Sequence, residues 1–384
     1  MSTIISGDSG ITTASIDLTS GQLSVADGGT GTATGENLWR NKIINGAMMI
    51  DQRNAGASVT PTADNTYTLD RWAARLSAAS KFSVQQSTTA PAGFINSLKV
   101  TSLSAYTLGA GDFFTIQQAV EGLNVSDLGW GTANAQAVTI SFKVYSSLTG
   151  TFGGSVLNSA GNRSYPFTYT ISSANTWTTI SVTIAGDTGG TWLTTNGIGV
   201  QIWFGLGVGS TYSGAAGSWS GSTYFGATGA TSVVGTNGAT FYITGIQLEK
   251  GSTATSFEYR PYGTELALCQ RYYEKSYDIS VVPGTTGATF GAIEFTTGIA
   301  GSAAGSVAGL STRFATAKRA APTMTAYDTI SGTINTLNGL VNTGARSGTV
   351  TPTIVSNTNQ FNIDVTVGTS LAGFYGQWTA SAEL

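Results

Sequence analysis

The stretch AVTISFKVYS, residues 137–146, alternates apolar and polar side chains with a period of two. Val138, Ile140, Phe142 and Val144 share one face, while Thr139, Ser141, Lys143 and Tyr145 share the other. A strand sends successive side chains to opposite faces, so this pattern specifies a half-buried antiparallel strand. The period returns in WTTISVTI (177–184), IGVQIWFGL (198–206) and ATFYITGIQLEKG (239–251). Shorter strand-like runs stand at KFSVQQS (81–87), SLKVTSL (97–103) and FFTIQQAVEG (113–122). Many short strands with turn-rich joints predict a mainly β fold, a two-sheet jelly-roll β-sandwich. Composition fits this, since 51 of 384 residues are Gly and only 10% are charged, leaving hydroxyls to cover the polar faces.

The same composition excludes several chemistries. There is no histidine, which removes Ser-His-Asp and Cys-His nucleophilic machinery and every His-containing zinc site. The lone Cys269 can form no internal disulfide, which fits folding in a reducing cytosol. The net charge is −3 with no dense basic cluster, so nucleic acid is not an expected partner. No apolar run approaches the ~20 residues of a membrane helix, and the N-terminus carries no export signal pattern. Neither a cofactor nor a bound metal is expected, because no Asp-x-Asp-x-Asp calcium loop occurs.

Taken in order, the chain predicts four parts. Residues 1–36 hold isolated apolar side chains among Gly, Ser, Thr and Asp, too few to build a core, so this extended segment is either disordered or ordered only against something it attaches to. Residues 37–262 read as the jelly roll, opening with a strand-like stretch NLWRNKIINGAMMIDQRNAG that contains the turn Asn45-Gly46. A short helix over 263–277 follows, with Thr264 as N-cap, Glu265 in its first turn, and Leu266, Cys269 and Tyr273 on one stripe. Residues 278–384 return to β patterning and read as a second, smaller sandwich.

Several landmarks together resemble phage virion fibre and appendage proteins. They are GGTG, NKIINGAMMIDQRNAG, YTLDRW, QQAVEG, FYITGIQLEKGSTATSFEYRPYGTELALCQRYYEKSY and a terminal WTASAEL. The resemblance runs from Gly28 onward and is most specific over Ile243–Tyr273. Its one visible departure is QRN at Gln52–Asn54, where related proteins more often carry QRG. It implies a virion structural protein assembled in the host cytosol, a homotrimer, with a carbohydrate-binding-module-like jelly roll and a distal β-domain facing a host glycan. Tail-fibre and capsid-fibre placement both fit it, and a capsule depolymerase is the enzymatic alternative.

Candidate sites follow from residue types. The long loop 207–238 carries Tyr212, Trp219 and Tyr224 in a Gly/Ser setting, and flat rings pack on the C–H faces of sugars. The alternative is that these rings pack down on the sheet. Tyr375 and Trp378 in the C-terminal part carry the same expectation. Leu266, Cys269 and Tyr273 are the candidate trimer or interdomain seam, and Ile4, Ile11, Ile16 and Leu18 the candidate virion-attachment contacts. No catalytic residue is assigned: a glycosidase needs two facing carboxylates, and Asp51, Asp64 and Asp70 read better as turn and strand-end structure. The charges around the helix, among them Glu249, Glu258, Arg260, Arg271 and Glu274, read as a register-fixing network.

Overall fold

The computed structural model describes residues 39–296, 306–341, 345–367 and 371–384. The candidate attachment residues Ile4, Ile11, Ile16 and Leu18 lie outside the described residues. The chain divides into Met1–Arg40 and a compact unit, Asn41–Leu384, within which both expected inner boundaries fall.

The unit is mainly β. Its first strands are β1 (Thr66–Leu69), β2 (Trp72–Leu76), β3 (Phe82–Ser87), β4 (Ser97–Ser102), β5 (Phe113–Glu121) and β6 (Val138–Ser146). Then follow β7 (Gly150–Leu157), β8 (Ser164–Ile171), β9 (Thr178–Ile184) and β10 (Ile198–Val208). The two-residue β11 (Ser213–Gly214) and β12 (Gly226–Ala227) precede β13 (Thr240–Lys250). One antiparallel sheet runs β1-β2-β5-β10-β7-β8, and a second runs β3-β4-β13-β6-β9. They enclose one apolar core. Val138, Ile140, Phe142 and Val144 of β6 are at most 1% exposed there, as the period-two pattern requires. Phe142 meets Tyr169 and Phe204 edge-on, each at 5.1 Å.

The opening stretch 41–56 corrects the sequence reading. It forms no strand. Its apolar residues are nevertheless buried (Ile43, Met48 and Ile50 at 0%), and side chains satisfy its backbone instead of a ladder. Gln118 holds Ile44 at both ends, accepting from its N–H at 2.9 Å and donating to its carbonyl at 2.8 Å. Gly46 lies so close to β13 that a Cβ there would meet the Ile246 carbonyl oxygen at 2.2 Å.

The helix α1 spans Tyr262–Gln270, shorter than expected. Pro261 is its N-cap, and its carbonyl accepts from the N–H groups of Thr264 and Glu265, so Thr264 lies inside the first turn. It stops because Tyr273–Lys275 turns into β14, which pairs with the last strand. Cys269 and Tyr272 are fully buried with Ile44 and Ile50, and Leu266 packs against them. Tyr273 is 6% exposed in β14. Of the two expectations, a trimer seam or an interdomain seam, the contacts of this stripe fit the second, since they lie inside one chain.

The remaining strands are β15 (Ile293–Thr296), β16 (Ser306–Arg313), β17 (Thr323–Tyr327) and β18 (Leu337–Val341), then β19 (Arg346–Val350), β20 (Thr353–Ser356), β21 (Gln360–Val367) and β22 (Leu371–Ser381). The long β22 pairs with β14 and β17 at its C-terminal half and with β15 and β18 at its N-terminal half. β16-β21-β20 form a separate three-stranded sheet. A second core, including Phe361, Ile363, Phe374 and Trp378, lies among them.

Charged groups near the helix form pairs, mostly with residues remote in sequence. Arg271 grips Glu121 with two bonds of 2.6 and 2.9 Å, and Tyr272 Oη donates to the same carboxylate at 2.6 Å. Lys318, with its side chain at 0% exposure, pairs with Glu274. Arg53 and Arg71 both pair with Glu383.

Candidate functional site

The loop 207–238 folds back over the outer face of the six-stranded sheet. Trp203 points outward from β10, yet is 2% exposed, because Phe225 stacks on it at 4.3 Å and 10°. Tyr212 stacks on Phe225 in turn at 4.9 Å. The Arg75 guanidinium lies 4.6 Å from the Trp203 ring, held by two 2.9 Å bonds to Asp64. Tyr224 packs on Gly214, where a Cβ would meet its ring at 2.3 Å. Trp219 joins a second cluster with Trp130, Trp192 and Tyr165 at 5.2–5.4 Å, and its indole N–H donates to the Ala185 carbonyl at 2.8 Å. These three loop rings are half-buried and pack on their own sandwich.

Tyr375 and Trp378 are corrected outright. They are 6% and 5% exposed. Trp378 lies against Phe361 at 4.8 Å, and the Arg346 guanidinium covers Tyr375 at 3.7 Å. Neither has a free face for a ligand.

The carboxylates weighed as a catalytic set are occupied separately. Asp51 caps the backbone N–H groups of Arg53, Asn54 and Gly56 at 2.7–3.2 Å. Asp70 is fully buried and accepts from the Gln52 backbone and side-chain nitrogens at 2.6 and 2.7 Å; burial pushes its pKa up to about 6 against those bonds and the nearby Arg53.

The outer face of the five-stranded sheet has no such lid over its β6–β9 half. Register places its outward residues. Lys99 of β4 stands opposite Tyr242 of β13, which stands opposite Tyr145 of β6. Trp177 precedes β9 at the same level, since Val144 pairs with Thr178. The three rings touch: Tyr145–Tyr242 at 5.1 Å, Tyr145–Trp177 at 5.5 Å and Trp177–Tyr242 at 6.4 Å. One level along, Lys143 donates to Thr179 Oγ1 at 2.9 Å. One further, Ser141 stands opposite Ser181.

Ser141, Lys143, Thr179 and Ser181 floor a groove of about 410 Å³, with Phe94, Thr255, Ser256 and Phe257 along its other side. That wall depends on a bulge in β13. The register shifts between Thr244 and Gln247, and Gly245 adopts φ 62°. A Cβ at Gly245 would meet the Phe94 ring at 2.7 Å, so glycine alone admits both the left-handed backbone and the ring. Phe94 meets Phe257 at 5.2 Å and Tyr259 at 5.3 Å. Behind them lies a smaller pocket of about 180 Å³ lined by Met49, Ile95, Tyr259 and Tyr262.

The groove therefore offers the Phe94 and Phe257 rings, hydroxyls and the Lys143 ammonium, with the Tyr145–Trp177–Tyr242 cluster farther along the same sheet face. Such a surface packs C–H faces and hydrogen-bonds hydroxyl groups. Its missed members carried a signal: Lys143 and Tyr145 already stood on the polar face of the clearest strand. Their union with Lys99, Trp177 and Tyr242 needed the pairing of four segments.

No family model and no curated protein matches the chain. Among solved structures, it is similar to the enzymatically active domain of tailspike protein 4 of bacteriophage CBA120, at 13% identity and a TM-score of 0.31, covering 55% of this chain and 22% of that one. A family 11 carbohydrate-binding module of the cellulosomal cellulase Lic26A-Cel5E of Clostridium thermocellum is similar at 12% identity and a TM-score of 0.27, covering 52% of this chain and 98% of that one. The CBM22-1 xylan-binding domain of Paenibacillus barcinonensis Xyn10C is similar at 12% identity and a TM-score of 0.26, covering 52% and 99%. At these scores none of them assigns a ligand or a role to this chain.

Proposed function

We propose that this chain is a carbohydrate-binding β-sandwich subunit of a phage virion appendage, a tail fibre or related fibre, that holds the particle to a host-surface glycan. The observation that carries the reading is the sheet face where half-exposed Tyr145 and Trp177, packed on the buried Tyr242, adjoin a groove floored by Ser141, Lys143, Thr179 and Ser181. The virion setting rests on the sequence resemblance, strongest over Ile243–Tyr273. A homotrimer belongs to the same reading, since several weak sites on one particle multiply into firm attachment. Because α1 is spent inside the chain, its contacts are sought elsewhere on the surface.

Binding is favoured over hydrolysis. Among the described residues no Asp or Glu lines the groove, whereas glycoside hydrolysis uses two carboxyl groups flanking the scissile bond. The test is a glycan array probed with the purified full chain and with Trp177→Ala. The chain is expected to retain particular glycans and the variant to lose them while keeping its melting temperature within a few degrees. Retention of nothing, or release of new reducing ends from a bound polysaccharide, would overturn the proposal.

A further inference from the structure

We infer that the groove selects a glycan carrying carboxylates on its sugar rings. The inference rests on the glycan-binding reading and specifies its ligand. The open face carries two ammonium groups. Lys143 lies in the floor, and Lys99 lies beside the ring cluster, with Nζ 5.7 Å from the Tyr242 ring centroid. Both lysines are half-exposed, and neither forms an ion pair among the described residues. The acidic outward position on β13, Glu249, is 2% exposed and accepts from Gln247 and Thr255.

This charge distribution opposes that of the chain. The net charge is −3, yet this face carries Lys99 and Lys143, and among the described residues no Asp or Glu lines the groove. A local positive field on a negative body attracts anions to that face and repels them elsewhere. The spacing fits a polymer. β4 and β6 stand two strand spacings apart with β13 between them, about 10 Å, and Lys143 is one level away from Tyr145, so the cations address different sugar units. The rings between them hold the pyranose faces, and the cations hold the carboxylates. A neutral glucan would leave both ammonium groups without an anionic partner.

The test uses matched pairs of polysaccharides. Polygalacturonate, alginate, hyaluronan and polysialic acid are each set against their carboxyl-reduced derivatives, with the purified full chain as probe at low and high sodium chloride. The expected result is that at least one acidic member binds about tenfold tighter than its reduced form, with the margin shrinking as salt screens it. The double variant Lys99→Gln and Lys143→Gln is expected to erase that margin. The uronate and sialate arms separate the two sources of a ring carboxylate. Equal binding within each pair, or a margin that survives the double variant, overturns this inference and leaves the glycan-binding reading standing. Binding to none of the polysaccharides, acidic or neutral, overturns both.

Discussion

Asp70 gives the sharpest test of how the unit is held together. Its carboxylate is fully buried between the 41–56 stretch and the first hairpin, and Gln52 Nε2 bridges it to the Tyr273 carbonyl beside the second set of sheets. Burial outweighs the bonds from Gln52 and the field of Arg53, and pushes the pKa up to about 6. In the unfolded chain an aspartate titrates near 4. Between these values the folded state holds a proton that the unfolded state has lost, so stability falls as pH rises. The contribution is fully present below about pH 4 and is gone above about pH 6, and a shift of this size corresponds to about 3 kcal/mol. The Asp70→Asn variant cannot ionise. It forfeits a bond to Gln52, costing about 1 kcal/mol at pH 4, but escapes the later loss. Urea unfolding at pH 4 and pH 7.5 is expected to show the variant gaining about 3 kcal/mol on the parent across that interval. Comparing the two chains cancels the titrating groups that do not feel the Asp70 charge. Parallel curves for parent and variant would refute the reasoning, since they would mean that Asp70 titrates alike in the folded and the unfolded chain.

Replacing Lys318 by Ala leaves Glu274 buried without its cation and is expected to cost about 3–5 kcal/mol by urea unfolding; a change under about 1 kcal/mol would show that water replaces the ammonium. Phe142→Ala removes a ring that meets Tyr169 and Phe204 in the sandwich core, and is expected to cost about 3–5 kcal/mol in the same assay. Cys269 is fully buried, and burial raises its thiol well above the ordinary value, so it is expected to resist a thiol-reactive dye in the native chain and react at once in denaturant. Rapid native labelling would place α1 at an open surface.

The β6 strand shows how far the sequence reaches. Val138 to Val144 announced an apolar face and Thr139 to Tyr145 a polar one, and both stand as read. The stretch 41–56 shows where that logic stops. Its apolar residues signalled burial, but burial satisfied by Gln118, Asn41 and Asn45 side chains leaves no periodic trace. The aromatic residues show the same division. Trp219, Trp378 and Tyr375 have the right chemistry for a sugar, yet their exposure depends on neighbours remote in sequence.

By itself the sequence determined that the chain is built of half-buried antiparallel strands, because period-two alternation is compatible with little else. It also removed histidine-based catalysis, because the side chain is absent. Only the tertiary structure decided which polar face remains open. The loop 207–238 lays Phe225 and Tyr212 over Trp203 and closes one sheet, while the β6–β9 half of the other stays uncovered. Only register decided what that face presents, because Lys99, Tyr145, Trp177 and Tyr242 come from four separated segments and meet through inter-strand pairing. A side chain's direction is local and is written in the alternation; its exposure and its neighbours are not local and are set by packing.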